Sequence, residues 1–244
     1  MRKSKEWFTE WFDTKYYHIL YQNRDYIEAE RFIKNITDFL DFSKKDLLVD
    51  LACGKGRHAL YLNKLGYNVL GLDLSPNSID YARHMGSSTL HFGVHDMRNT
   101  IPIEGVGGVL NMFTSFGYFD DDTEDIKVLK SVYESLEKGK LMVLDFMNVQ
   151  KVMQNLVASE TKTLDGIDFN ITRAVVDGFI LKKINFTDKG EMYNFQERVK
   201  IIDEKKFDDY FSSVGFNIEN KFGNYDLANF DAEESNRLII VARK

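Results

Sequence analysis

The chain has 244 residues, 43% of them apolar, and a formal charge of −6; that length buries one sizeable core with room for a small subdomain. The acidic balance argues against nucleic acid, whose binding leans on Lys and Arg contacts to phosphate, and no run approaches the roughly 18 apolar residues of a membrane-spanning helix. Cys53 is the only cysteine, which excludes an intrachain disulfide and points to a cytoplasmic home.

The start, Met1-Arg2-Lys3-Ser4-Lys5-Glu6, is basic but lacks the apolar region of an export signal. Residues 5–22 are dense in aromatics, and the spacing of Trp7 with Trp11 and Phe8 with Phe12 is that of one helix face. Two readings stand: a helix packing its rings on the domain, or a cap over a ligand pocket with a tyrosine hydroxyl in the site. A second helix is expected from Asp25 to about Leu40. Its stripe of Ile27, Phe32, Ile33, Ile36 and Leu40 covers a sheet, opposite Glu28, Glu30, Arg31 and Lys34.

An apolar run from Leu47 ends in the carboxylate of Asp50. The small turn Ala52-Cys53-Gly54-Lys55-Gly56 follows, and then a helical pattern carrying Leu60, Leu62 and Leu65. Such a turn lets the backbone approach a ligand closely and exposes amide N–H groups at a helix start. It is a nucleotide-binding device of an α/β sheet. The NAD fingerprint is missing, because Ala59 stands where a third glycine belongs, and Lys55-Gly56 is not the Lys-Ser/Thr of a P-loop. What remains, Asp50-x-x-x-Gly54-x-Gly56, serves a ligand amine better than a diphosphate.

Tyr67 to Leu72 makes a second buried strand ending at Asp73, where a carboxylate about 20 residues beyond the glycines accepts from a ribose hydroxyl pair. Ser75-Pro76 opens the next helix, which runs from Asn77 to Met85. Leu90 to His95 leads into Asp96-Met97-Arg98, with Arg98 neutralising Asp96 or anchoring the loop. His91 and His95 have no partners at metal-ligand spacing, so no metal site is expected. Val109 to Met112 is a short fourth strand, and the aromatic loop Phe113 to Phe119 follows it. An amphipathic helix carries Ile126, Leu129, Val132, Tyr133 and Leu136, and Gly139 to Phe146 gives the fifth strand. The period changes over 166–202, where alternation and the turns at Asp177-Gly178 and Asp188-Lys189-Gly190 predict about three antiparallel strands. A helix near Lys205–Val214 and strands at Phe216–Glu219 and Arg237–Ala242 complete an α/β chain.

The run Asp50-Leu51-Ala52-Cys53-Gly54-Lys55-Gly56-Arg57-His58-Ala59 resembles motif I of the class I S-adenosylmethionine-dependent methyltransferases. The likeness is to their small-molecule, amino-sugar N-methyltransferase-like branch, and it extends through Asn111-Met112-Phe113-Thr114-Ser115-Phe116-Gly117-Tyr118. It covers about 47–146 by motif and the remainder by architecture only. One departure is Gly107-Gly108, where that family usually has Phe-Asp at the fourth strand.

The resemblance implies a Rossmann-like seven-stranded methyltransferase sheet with helices on both faces, a late strand inserted antiparallel, and an antiparallel β insertion after the fifth strand. In domain terms it implies an N-terminal helical cap at 1–45, a core at 46–150 and 203–244, and an insertion at 151–202 that is an acceptor lid, with an oligomer surface or a plain sheet extension as the alternatives. The implied cofactor is S-adenosyl-L-methionine, leaving as S-adenosyl-L-homocysteine. Its implied contacts are Asp50, Ala52, Cys53, Gly54 and Gly56 at the turn, Asp73 at the ribose and Leu74 beside the adenine. Asp96 would accept from the adenine amine, Met97 pack on the ring, and Asn111 and Phe113 border the methionine moiety. Tyr17, Phe116 and Tyr118 would stand at the transfer side. The implied activity is methyl transfer to N or O of a small-molecule acceptor, by a monomer or homodimer with no membrane partner. Two alternatives stay open. One is an RNA or protein methyltransferase, for which Lys182, Lys183 and Lys189 begin a basic face that Glu191 and Glu197 offset. The other is a non-catalytic S-adenosylmethionine-binding module.

Overall fold

The structure, a computed structural model, describes residues 6–22 and 26–244. The helix start expected at Asp25, together with Arg24 and the basic residues Arg2, Lys3 and Lys5, lies outside them. The aromatic N-terminal segment is two helices rather than one, α1 (Trp7–Trp11) and α2 (Lys15–Leu20). Thr14 breaks them, its hydroxyl accepting from the Tyr17 N–H as the N-cap of α2. Helix α3 (Tyr26–Leu40) follows, then β1 (Leu47–Leu51), α4 (Arg57–Lys64), β2 (Asn68–Asp73), α5 (Pro76–Arg83) and β3 (Leu90–Val94). Next come β4 (Val106–Asn111), α6 (Asp122–Ser135), β5 (Leu136–Met147) and the short α7 (Val149–Gln154). Strands β6 (Ser159–Leu164), β7 (Ile167–Val176), β8 (Phe179–Asp188) and β9 (Glu191–Lys200) come before α8 (Glu204–Val214), β10 (Asn217–Phe222) and β11 (Arg237–Arg243).

Seven strands form one sheet in the order β10-β11-β5-β4-β1-β2-β3. All neighbours run parallel except β11, which is antiparallel to both β5 and β10. The central strands read as apolar runs because both sheet faces are covered. Along β11, Leu238, Ile240 and Ala242 enter one core with α6 and α8, while Ile239 and Val241 enter the other with α3, α4 and α5. Chain order reverses at β1, which lies between β2 and β4, so the crevice beyond the carboxyl ends of these strands is the natural ligand site.

The fourth strand begins earlier than its apolar run suggests and takes in Gly107 and Gly108. A Cβ at Gly107 would lie 2.5 Å from the Asp46 side chain, and one at Gly108 would lie 2.8 Å from the Phe42 ring. The glycines therefore admit the segment entering β1 against the sheet, rather than weakening the strand.

The insertion is a four-stranded meander, β6-β7-β8-β9, not three strands. Its hairpins turn at Asp165-Gly166, Asp177-Gly178 and Lys189-Gly190, each pair with positive φ, the two-residue geometry that matches strand twist. Strand β6 escapes the sequence pattern because it is a mostly exposed edge, Ser-Glu-Thr-Lys-Thr-Leu, with no apolar face to alternate. Its inner neighbours bury Ile167, Phe169, Ile171, Ile184 and Phe186 against Trp11, Tyr16 and Leu20. Helices α1 and α2 thus share a third core with the inserted sheet.

Candidate active site

A cavity of about 560 Å³ lies over the switch point, walled by the ends of β1 and β2, the loop after β4, α1, and β9 of the inserted sheet. The β1–α4 turn forms its floor. Ala52, Gly54 and Gly56 all have positive φ, and Ala52 and Gly54 line the cavity. A Cβ on Gly54 would meet no protein atom, so this glycine faces open space. Gly56 is different. It is the N-cap of α4 and fits under the Phe92 ring, which a Cβ would approach to 2.6 Å.

Asp50 does not reach the cavity wall. Its side chain is buried beneath the turn, and Oδ2 accepts from the Ala59 N–H at 2.9 Å. Gly56 has no side chain to cap α4, so a carboxylate from β1 does it instead. The expected contact with a ligand amine gives way to this capping role. Burial pushes the Asp50 carboxyl up to about 7, against the opposing Ala59 bond. Cys53 is likewise turned away, its buried thiol set among the helix-side core residues.

Asp73 does line the cavity. Its Oδ2 accepts from Gly54 N and its Oδ1 from Ser75 N, both at 2.8 Å. Each oxygen keeps acceptor capacity for a hydroxyl, since an ionised carboxylate has about four lone-pair sites. Burial raises the carboxyl, while the bonds from Ser75 and Gly54 hold it down. Leu74 is beside it. Above Ser75, Asp13 of the α1–α2 corner accepts from Ser75 Oγ at 2.5 Å and from Asn77 Nδ2 at 2.7 Å, pinning that corner to the start of α5.

Asp96 and Met97 close the same side. Arg98 Nε donates to both Asp96 oxygens at 3.0 and 3.1 Å, and its Nη1 also reaches Glu6 and Glu124. Arg98 therefore both neutralises Asp96 and anchors the loop. Burial works to raise the Asp96 carboxyl, but Arg98 outweighs it and the net shift is downward.

The opposite wall is the loop after β4. Phe113 and Thr114 are both left-handed, with φ of 65° and 63°, a strained pair for residues with side chains. Asp145, at the end of β5, holds them there. Its Oδ2 accepts from Phe113 N at 2.9 Å and its carbonyl from Thr114 N at 2.9 Å. Arg237 Nε donates to Asp145 Oδ1 at 2.7 Å and Nη2 to Thr114 Oγ1 at 3.1 Å, while Tyr225 adds its hydroxyl to Oδ2. Phe113 and Arg237 face the cavity. Asn111 does not: it is fully buried, and its Nδ2 ties Leu51 O to Ser115 O at 3.0 and 3.3 Å.

Of the residues expected at the transfer side, Tyr17 and Tyr118 line the cavity and Phe116 does not. Phe116 is 0% exposed and packs against Phe207 in the sheet core. Gly117, at φ 76°, turns the chain so that its two aromatic neighbours point opposite ways. Tyr118 bonds its hydroxyl to Thr114 O at 2.6 Å and sits among Trp7, Phe8 and Phe12, with Tyr17 against Phe12.

Sequence reasoning missed Arg237, Asp145, Asp13 and the cavity position of Glu197. Asp145 repeats the strand-end acid pattern of Asp50 and Asp73 and was open to detection; Arg237 and Asp13 carry no local signal. Among the described residues, no group of three or more His, Cys, Asp or Glu is set to hold a metal ion. No described helix is long and apolar enough to cross a membrane.

This strand order, with an antiparallel β11, a glycine turn after β1 and acids at the ends of β2 and β3, is the class I S-adenosylmethionine-dependent methyltransferase fold. Residues 48–139 match the family model described as a methyltransferase domain. A segment of 99 residues, 40% of the chain, is 34% identical to the dTDP-3-amino-3,4,6-trideoxy-alpha-D-glucopyranose N,N-dimethyltransferase of Streptomyces venezuelae and covers 41% of that protein. The chain spans less than half the length of the curated relatives it matches. Over nearly its whole length it superposes on solved structures. One is an S-adenosylmethionine-dependent methyltransferase from Clostridium acetobutylicum ATCC 824, with TM-score 0.79, 19% identity, and 93% and 95% of the two chains covered. Another is a sugar N-methyltransferase from Streptoalloteichus sp. ATCC 53650, with TM-score 0.70, 17% identity and 93% of each chain covered.

Proposed function

We propose that this chain is an S-adenosyl-L-methionine-dependent methyltransferase acting on N or O of a small-molecule acceptor. The observation that carries this reading is the joining of two chemically different halves in one cavity. One half, at Gly54, Asp73 and Met97, suits a nucleoside; the other, at Tyr17, Tyr118 and the inserted sheet, is an aromatic chamber closed from above. The size fits as well, since 560 Å³ lies within the usual range of small-ligand sites.

The residues present fit the cofactor. Gly54 offers a side free of Cβ, Asp73 offers acceptors for hydroxyls, and Asp96 with Met97 offers an acceptor beside an apolar face for adenine. Asp50, Asn111, Cys53 and Gly56 shape the turn and the loop from behind. When bound, S-adenosyl-L-methionine supplies a methyl group on a sulfonium, a strong leaving group. The protein's work is then to align the acceptor and exclude water. Trp7, Phe8, Phe12 and Tyr118 do the second, and the Asp145–Arg237 network fixes the loop that borders both halves.

Three further parts belong to this reading. Helices α1 and α2 form the cap, and the sheet β6–β9 forms the acceptor lid, supported by their common core. The enclosure favours a metabolite over a polymer, and Lys182, the first residue of a basic lid face, is instead largely buried and paired with Glu197. A reducing, cytoplasmic compartment suits the buried thiol of Cys53, and the chain works as a monomer or homodimer.

The test is a calorimetric titration with S-adenosyl-L-methionine and S-adenosyl-L-homocysteine, followed by turnover against a panel of small amines and alcohols. Binding of both nucleosides with methylated product from at least one acceptor is expected. Binding without turnover on any acceptor would favour a binding module, and absence of binding would remove the proposal.

A further inference from the structure

Among the described residues three carboxylates line the cavity, and two of them, Asp73 and Asp96, stand on the nucleoside side. The third, Glu197, comes from β9 and hangs from the inserted sheet into the aromatic chamber. Its position is held tightly. Trp11 Nε1 donates to Oε1 at 2.8 Å, and the Tyr21 hydroxyl lies 2.6 and 2.7 Å from the two oxygens. Lys182, its direct cross-strand partner, lies 3.4 Å from Oε2 and donates to the Tyr21 hydroxyl. Three side chains, from α1, the end of α2 and β8, thus aim one carboxylate, whose roughly four lone-pair sites are not all taken.

A carboxylate at this wall loses solvation, and the bonds from Trp11, Tyr21 and Lys182 offset that loss. Here it stays on the wall, with Tyr17, Trp7, Phe12 and Tyr118 around the same chamber. Aromatic faces and a carboxylate both favour a group that is or becomes cationic. Among the described residues, Arg237 is the one Arg or Lys lining the cavity, and it is bonded to Asp145.

We infer that Glu197 is the acceptor-binding carboxylate of the site and that the acceptor is a small aliphatic amine, an inference that rests on the methyltransferase reading above. A neutral amine donates one N–H to Glu197, which turns its lone pair toward the cofactor half. As the carbon–nitrogen bond forms with that lone pair, the carbon–sulfur bond breaks, and the positive charge passes from sulfur to nitrogen. The proton that the ammonium form carries in solution is left to water before the neutral amine binds, the nitrogen keeps its two protons during the step, and the product leaves as the methylammonium ion. Glu197 faces the nitrogen as its charge grows, a preorganised interaction stronger in the transition state than before it. Trp11, Tyr21 and Lys182 are positioning residues that hold the carboxylate.

The experiment uses the full chain saturated with S-adenosyl-L-homocysteine and two matched pairs of probes. These are methyl 3-amino-3-deoxy-α-D-glucopyranoside with methyl α-D-glucopyranoside, and cyclohexylamine with cyclohexanol. Calorimetry should show the amine bound more tightly than its alcohol in at least one pair. Glu197→Gln should erase that preference, a loss of roughly 10- to 150-fold for a charged hydrogen bond, with S-adenosyl-L-homocysteine affinity within about twofold of the parent. No amine preference in either pair, or a preference that survives Glu197→Gln, overturns the inference while leaving cofactor binding and the methyltransferase reading intact. Should the variant unfold, a crystal structure of the parent with the amine decides. Its nitrogen must lie within about 3.2 Å of a Glu197 oxygen, and a nitrogen seated elsewhere overturns the role.

Discussion

Asp73 carries two loads at once, since the oxygens offered to the cavity also fasten Gly54 N and Ser75 N. Asp73→Ala should therefore weaken S-adenosyl-L-homocysteine binding by about 2–3 kcal/mol, the range for hydrogen bonds to a charged group. The parent should prefer this ligand over its 2′,3′-dideoxy analogue, and the variant should bind both alike; a preference kept by the variant would refute the ribose role. Asp50 answers to pH instead. Its carboxyl sits at about 7 in the fold, well above the ordinary carboxylate value of 3.8, so the folded state favours the protonated form. The stability this contributes is fully present below about pH 4 and is lost as pH rises through about 7, at most about 4 kcal/mol over that window. Asp50→Asn, which cannot ionise, should show a flatter fall in urea-unfolding stability between pH 4 and 8. Parallel curves for the two proteins would show that Asp50 does not titrate there. At this scale, strand-end acids were legible as a pattern, but which of them face the cavity was not. Asp50 and Asp73 end neighbouring strands in the same way, and only the depth of the β1–α4 turn separates a buried cap from a cavity wall.

Among the elements, the join between β9 and α6 is heavily charged. Lys200 is buried at the end of β9, with Nζ 2.5 Å from Asp125 and 2.8 Å from Asp122, and its N–H donates to Gly117 O at 2.7 Å. The inserted sheet is thereby fastened to the loop that turns Tyr118 toward the cavity. Asp125→Ala would leave the lysine charge facing only the half-exposed Asp122, at a cost of about 3–5 kcal/mol. Replacing both partners, Lys200→Met with Asp125→Leu, should recover most of that loss, because no buried charge is left without its mate. Urea unfolding of the two variants checks this, and a double variant as weak as the single would point to packing rather than charge. The parallel strands were readable because burial on both faces makes them continuous apolar runs, as in Leu47–Leu51. Strand β6 was not, because an exposed edge obeys no burial pattern. Pairs such as Arg237 with Asp145 or Lys200 with Asp125 lie 92 and 75 residues apart and leave no local trace.

Taken whole, the molecule has two cores on the faces of one sheet and a third that α1 and α2 share with the inserted sheet. Trp11 and Tyr16 are bound to the inserted sheet by Glu197 and Asp188, while Asp13 is bound to α5 beside Asp73. A ligand that stabilises the Asp73 end should therefore slow amide exchange in residues 7–20 and in β8–β9 together. Hydrogen-exchange mass spectrometry with and without S-adenosyl-L-homocysteine measures this directly. Protection confined to the β1–α4 turn, with residues 7–20 unchanged, would show that the N-terminal helices and the inserted sheet do not respond to the ligand.

The bond from Trp11 to Glu197 spans 186 residues, and that from Tyr16 to Asp188 spans 172. On a ribosome, α1 and α2 emerge well before the surface they rest on. At roughly 5–20 residues per second, Trp11 waits on the order of 10–40 s for Glu197 to be made. During that interval Trp7, Phe8, Trp11 and Phe12 ride on a growing chain with no apolar partner from the inserted sheet, which makes them natural binding points for a chaperone. The nascent protein can pair β1 to β5 and form their glycine turn before β9 supplies Glu197 and β11 supplies Arg237, so the cavity is walled only after most of the chain has been made.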